Sequence, residues 1–385
     1  MKLGLPRDRD HNGPNPDGVC IMQFNMFHGR RVSSARAFLH PAMHKNRSLT
    51  VRANAHATRV LFEGRKAIGV RYAPGGERGA EIDIRARREV VLSAGAVATP
   101  KLLQISGVGP VEVLRDIGVP IVRPHEGIGN NLQDHYHVRA VVRIRNALTI
   151  NNVVTGPRLI GEVFKWLAGR PGIVGNSPYT VVGTCRSNET RDTPDVTLIF
   201  TPGNFTAATR AITPVAGATC IVWQMRPTSR GYLRARSADP FVLPDINPCY
   251  LNTEEDCRAL VGGIKMARKI FSGPTFSHYV LDEEAPGAAA VSDEALLEFA
   301  RQTGMTAFHF TGSCRMAPAT DPSAVVDDQL RVHGIEGLRV ADASIMPAVT
   351  SGNTNAPTMM IAEKASDMIL GKPAEPAAIF EDNRS

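Results

Sequence analysis

Phe308-His309-Phe310-Thr311-Gly312-Ser313-Cys314-Arg315-Met316 is the stretch on which the reading of the fold turns, and two further segments complete it. These are Gly337-Leu338-Arg339-Val340-Ala341-Asp342-Ala343-Ser344 and Ser351-Gly352-Asn353-Thr354-Asn355-Ala356-Pro357-Thr358-Met359-Met360-Ile361. In physical terms they are a loop bearing one histidine, a short strand ending in a carboxylate, and a polar loop that starts a helix. Asn355 is the predicted N-cap of that helix, Pro357 suits its first turn, and Ile361, Ala365, Met368 and Ile369 recur at helical spacing. Backbone N–H groups and the positive end of the helix dipole are thereby expected beside Asn353. Such a point stabilises an anion or an electron-rich oxygen.

The order His-x-x-Gly-Ser-x-x-Met, then Gly-Leu-Arg-Val-Ala-Asp-Ala-Ser, then Asn-Thr-Asn-x-Pro-Thr before a helix resembles the closing segment of the glucose–methanol–choline (GMC) flavoprotein oxidoreductases. A second run, from Gly95-Ala96 through Thr99-Pro100, Leu102-Leu103 and Ser106-Gly107 to Gly109, matches the other GMC signature without a departure. The resemblance implies an FAD enzyme that oxidises an alcohol.

Working outward, Glu89 to Ser93 reads as a fully buried strand entering Gly95, and Thr99-Pro100 reads as the start of a helix. Upstream, Leu49 to Arg52, Ala57 to Phe62, Ala67 to Tyr72 and Glu81 to Arg85 are predicted to form a small antiparallel meander. Ser33 or Ser34 caps a short helix, and residues 1–20, rich in Asp, Asn, Gly and Pro, read as loop. Pro110 to Ile117 reads as a helix stopped by Gly118, and Val119 to Val122 as a strand. Beyond His137 the elements lengthen. Strands are expected at 137–145, 195–200, 219–225, 231–236 and 240–246, and helices at 155–169, with Leu159, Phe164 and Leu167 on one face, and at 252–271.

The expected class is therefore α/β with an α+β substrate domain. By resemblance it is a truncated GMC fold, an incomplete Rossmann-like FAD-binding domain plus an antiparallel-sheet substrate domain flanked by helices. The expected boundaries are 1–135 for the remaining part of the FAD-binding domain, with 1–28 a loop-rich lead-in, 136–304 for the substrate domain, and 305–385 for the return to the FAD-binding domain. No Gly-x-Gly-x-x-Gly occurs in the chain, whereas GMC proteins open with that fingerprint, so the sequence resembles roughly their last two-thirds. A misplaced start codon and a genuine fragment both account for this. The alternative to an active enzyme is a catalytically silent fragment unable to hold FAD.

Composition narrows the other classes. The 44 basic and 37 acidic residues give a net charge of +7 that is dispersed along the chain, which reads as solvated surface rather than a nucleic-acid footprint. Six scattered cysteines without a Cys-x-x-Cys pair point to neither a zinc site nor a disulfide framework. No apolar run spans a bilayer, and Met1 to Arg7 lacks a signal-peptide core, so a cytoplasmic location is expected. No Gly-x-Ser-x-Gly elbow, His-Glu-x-x-His helix or P-loop is present, which leaves flavin chemistry.

Alcohol oxidation needs a base, an acceptor and something to hold the oxygen between them. His309 is the natural base, because imidazole titrates nearest neutrality. Asn353 supplies a hydrogen bond to the same oxygen, at a position where the family carries His or Asn. By resemblance the cofactor contacts are Ala57 through its backbone, Ala94 and Gly95 by close backbone approach, Asp342 and the Ala343 amide near the ribityl–pyrophosphate part of FAD, and Thr354 and Asn355 at the helix start. Hydride would pass to the flavin N5. His135 and His137 read as hydrogen-bonded structural histidines rather than a metal pair, since no third ligand is apparent. His333, beside Gly334, is expected at the surface, and Cys314 and Met316 in packing.

Choline-oxidising members have a glutamate in the segment resembling Ser177 to Gly183, where this chain has Thr180, so the expected substrate is an uncharged primary alcohol. The expected electron acceptor is oxygen or a quinone-type molecule. Hydroxynitrile lyases share the GMC fold, so the fold alone does not establish oxidation.

Overall fold

The computed structural model describes residues 5–373 and 376, apart from 9, 14–16, 47, 155 and 206–210. Met1 to Gly4, and Thr155 at the start of one expected helix, lie outside the described residues. Contacts group the chain into two compact units. One comprises Met1–Val51, Tyr136–Met225 and Glu254–Met305, and the other Arg52–His135, Arg226–Thr253 and Thr306–Ser385. Residues 1–51 and 226–253 thus each pack with the unit opposite to the one chain order places them in.

The first unit is built on an antiparallel sheet. Its strands run in the order Gly18–Ile21, Val181–Cys185, Val196–Thr201, Gly217–Gln224, Tyr136–Ile144 and Val280–Ala285. One face collects Cys20, Val182, Ile199, Ile221 and Trp223. The helix Glu254–Ser272 lies on the strands Val196–Thr201 and Gly217–Gln224, and it does so closely. A Cβ on Gly263 would stand 2.4 Å from Val222 Cγ1 and 2.6 Å from Val196 Cγ1, so only glycine lets the helix approach the sheet this far.

Several local expectations are corrected here. Gly18–Ile21 lies in the segment read as loop, yet it pairs with Val181–Cys185 as an edge strand, because a ladder partner 160 residues on leaves no trace in local composition. Of the strand expected at 240–246, only Asp245–Asn247 forms, in the second unit. Arg158–Leu167 is helical as expected, but Ile160, Phe164 and Leu167 are exposed. Periodicity reports a stripe and not what the stripe meets.

The second unit holds the meander Ala55–Glu63, Lys66–Pro74 and Ile82–Arg85, antiparallel throughout. Leu49 to Arg52 and Val119 to Val122 do not form strands. Val90–Leu92 runs parallel to Leu338–Val340. That strand is buried on one face only, with Val91 39% exposed between buried Val90 and Leu92, which corrects the expectation of full burial. Leu92, Leu103, Ile105, Val325, Leu338, Val340, Ile345 and Ile361 belong to one core cluster, and Cys314 packs with them.

The following helix begins at Gly95 and runs to Ile105, four residues earlier than Thr99-Pro100 predicted, so that Pro100 is internal. An internal proline has no N–H to give the carbonyl four residues back. Here that carbonyl is Ala96 O, and the hydroxyl of the fully buried Ser313 donates to it at 2.6 Å. The histidine-bearing segment therefore repairs the helix of the other signature. Replacing Ser313 by alanine is expected to cost about 1–3 kcal/mol, the penalty for a buried carbonyl left unmet. Urea denaturation of the variant measures it, and a loss within a few tenths would remove this role for the hydroxyl.

Candidate active site

Every residue of the site below belongs to the second unit. The loop from Thr306 to Met316 is held against residues 129–135 by backbone bonds in both directions. Gln133 N donates to Thr311 O at 3.0 Å and Thr311 N to Gln133 O at 2.9 Å, while Ala307 N reaches His135 O at 2.9 Å and Gly129 N reaches Ser313 O at 2.8 Å. On its other side, Cys314 N and Met316 N donate to Ser344 O and Ile345 O, both at 2.8 Å. The loop is thus pinned along both edges.

Asp134 fixes its centre. The carboxylate is buried and accepts His309 N at 2.7 Å, Thr306 Oγ1 at 2.5 Å and Tyr250 Oη at 2.5 Å. Burial raises the affinity of this carboxyl for a proton, and the hydrogen bonds from Thr306, Tyr250 and the His309 and His135 amides oppose that without cancelling it. Phe308, left-handed at φ 59° and largely exposed, turns the chain so that His309 points inward.

His309 is 9% exposed, with Nδ1 2.8 Å from His135 Nδ1 and Nε2 3.1 Å from Asn353 Nδ2. Burial brings its basicity down to about 4, so the ring is neutral at pH 7. Two of the residues singled out in the sequence are thereby brought together. His135, expected to be a hydrogen-bonded structural histidine, is the ring partner of His309.

The depressed basicity has a consequence for stability. An ordinary histidine titrates near 6.5, so between pH 6.5 and 4 the unfolded chain binds a proton at this residue that the folded chain does not. Stability is therefore complete above 6.5 and falls as the pH drops to 4, by about 3 kcal/mol for a shift of this size. His309→Gln should lose correspondingly less stability across that window. Equal pH slopes for the two proteins in urea denaturation would contradict the burial argument.

Gly95, at φ +85°, carries the strand Val90–Leu92 into its helix, and a Cβ there would meet nothing within 4 Å. Ala94 and Ala57 are exposed and Gly95 is half-buried, although the amides of Ala94 and Gly95 are taken up within the protein, by Thr99 Oγ1 at 3.1 Å and by Asp342. Asp342 is 4% exposed and is engaged within the protein. Oδ2 accepts Gly95 N at 2.9 Å and Thr99 Oγ1 at 2.6 Å, and Oδ1 accepts Ser344 N at 2.8 Å. It clasps the Gly95 turn to the turn at Ala343–Ile345.

The last helix spans Asn355–Leu370, with Thr354 rather than Asn355 at the N-cap and no side chain capping it. The amides of Asn355 and Ala356 therefore remain as donors at its end, and Pro357 has none. The shift of one residue is the ordinary uncertainty of a helix end read from sequence. His333, expected at the surface, is half-buried, with Nε2 3.1 Å from Ala317 O. A turn beside glycine says nothing of what folds over it.

The profile of the GMC oxidoreductase family matches residues 1–137 with its N-terminal part and 227–362 with its C-terminal part. The oxygen-dependent choline dehydrogenase of Staphylococcus saprophyticus is 38% identical over 381 residues, 98% of this chain and 67% of that protein. The chain belongs to the GMC oxidoreductase family. Another relative, the alcohol dehydrogenase [acceptor] of Pseudomonas putida, is 38% identical over 97% of this GMC chain and 67% of its own length. A variant of the formate oxidase of Aspergillus oryzae RIB40, solved to follow modification of its FAD, superposes with a TM-score of 0.87 at 27% identity, over 96% of this chain and 68% of that one. The chain spans about two thirds of the length of these proteins. As a GMC oxidoreductase it takes the enzyme reading over that of a silent fragment. No helix among the described residues is long and apolar enough to cross a membrane.

Tyr250, Thr306, Asp134 and His135 were not singled out as functional residues in the sequence. The one local hint is the acid-histidine pair Asp134-His135 inside a polar loop, a pairing that also fits a surface turn.

Proposed function

We propose that this chain carries the reacting residues of an FAD-dependent oxidoreductase that oxidises an uncharged primary alcohol to an aldehyde. The observation that supports this most is the buried, neutral imidazole of His309 with an amide group 3.1 Å from its Nε2. A neutral imidazole accepts the hydroxyl proton, and an adjacent amide N–H donates to the oxygen that loses it. Water is kept from the ring by its burial.

The open space over Gly95 and the exposed Ala57 and Ala94 leave room for an extended cofactor, and the uncapped amides after Thr354 fit an anionic or electron-rich part of it. FAD, when bound, supplies the acceptor for the hydride leaving the carbon. Ala94 and Gly95 would lie against it, held in place by Asp342, with the Ala343 turn and the amides at Asn355 beside it. Thr180 stands where choline-oxidising members have a glutamate, and its uncharged side chain offers no anion to a quaternary ammonium, which favours an uncharged alcohol. Oxygen or a quinone-type molecule would reoxidise the cofactor.

The test is an absorbance spectrum of the 385-residue chain after incubation with FAD and removal of excess, followed by anaerobic addition of a medium-chain primary alcohol. A retained flavin spectrum that bleaches is the expected result. Retained flavin that no primary alcohol bleaches would sink the substrate class.

A further inference from the structure

His135 and His309 meet nitrogen to nitrogen, Nδ1 to Nδ1, at 2.8 Å, and the two rings are 0% and 9% exposed. Their centroids are 5.1 Å apart with the planes at 90°. That separation is about the greatest that rings in nitrogen contact allow, so the contact lies along the in-plane lone-pair direction of both nitrogens. This is hydrogen-bond geometry and not stacking.

Such a contact holds one proton. Two protonated nitrogens would repel, and two bare ones would oppose their lone pairs in a buried site. Only two arrangements of the neutral pair remain. If His309 donates from Nδ1, its Nε2 bears the lone pair and accepts from Asn353. If His135 donates, the proton of His309 lies on Nε2, and that atom cannot take another from an alcohol.

We propose that His135 is a positioning residue that accepts the Nδ1 proton of His309 and so holds His309 in the tautomer whose Nε2 is the accepting atom. This rests on the reading of His309 as the base. Asp134 does not take that part, although it adjoins His135, because its oxygens are engaged by the His309 amide, Thr306 and Tyr250. The device therefore differs from a carboxylate behind a histidine. A neutral partner orients the ring without placing an anion against it, and the imidazolium formed on proton transfer keeps the same Nδ1 hydrogen bond. The pair is joined across 174 residues of chain.

Long-range 1H–15N correlation on the chain labelled with 15N-histidine reads the tautomers directly, with His309 identified by its disappearance in His309→Gln. The expected pattern is pyrrole-type Nδ1 and pyridine-type Nε2 for His309, and the reverse for His135. A protonated His309 Nε2 at neutral pH overturns the proposal. His135→Asn offers an oxygen near the position of Nδ1 and should preserve the tautomer, with kcat reduced less than about tenfold. His135→Leu, which offers none, should give mixed tautomers at His309 and a fall in kcat of about 10²-fold with KM little changed, the low end of what a correctly placed base contributes. An unaltered His309 tautomer in the leucine variant also overturns the proposal, and if that variant does not fold, the wild-type spectrum decides. Should His309→Gln keep full turnover, the base assignment fails while the spectra still report on the pair.

Discussion

Glutamine in place of His309 lowers the rate of anaerobic flavin bleaching by about 10²–10⁴-fold, the contribution of a positioned general base. The substitution keeps a polar side chain of comparable bulk against Asn353 and His135, so the loop held by Asp134 should stay in place. What it removes is the lone pair able to take a full proton. Because burial already keeps the imidazole neutral down to about pH 4, the wild-type base is in its accepting form throughout the neutral range. Flavin retention in the variant should match wild type, since His309 is not among the positions that leave room for the cofactor. A bleaching rate within about tenfold of wild type, with flavin bound, would take the base assignment away from this residue.

Alanine in place of Asp342 is expected to destabilise the protein by about 3 kcal/mol, because a buried donor left without its acceptor costs about 1–3 kcal/mol and several are left so at once. Three donors converge on this carboxylate, the amides of Gly95 and Ser344 and the hydroxyl of Thr99, and all lose their acceptor together. The damage is expected to concentrate at Gly95, where the strand Val90–Leu92 turns into its helix at a φ only glycine adopts readily. Flavin retention should therefore fall along with the urea midpoint. Asparagine is expected to be intermediate, because its oxygen can still serve one amide while its NH₂ faces the remaining donors. A variant as stable as wild type that still retains flavin would show that Asp342 does not shape this turn.

The last helix, its polar lead-in at Asn353 and the strand 338–340 follow from periodicity, capping residues and a glycine, all of which act over a few residues. The helix Gly95–Ile105 was misplaced at its start because Pro100 ordinarily marks a first turn. Its exception depends on Ser313, which no local rule connects to it. In the sequence Asp342 is a carboxylate at the end of a strand, which the family resemblance directs toward the cofactor. In the folded protein its oxygens are directed to Gly95, Thr99 and Ser344.

The sequence by itself determined the family and the elements that carry His309 and Asn353. These are written in ordered motifs and in short-range backbone preferences, and each is complete within a dozen or so residues. Only the tertiary structure decided that Asp134 grips the His309 loop, that Tyr250 and Thr306 satisfy the same carboxylate, and that His135 meets His309 ring to ring. Hydrogen bonds between residues so far apart along the chain have no local signature. They exist only once the strands and helices have packed, and burial then sets the charge state of His309.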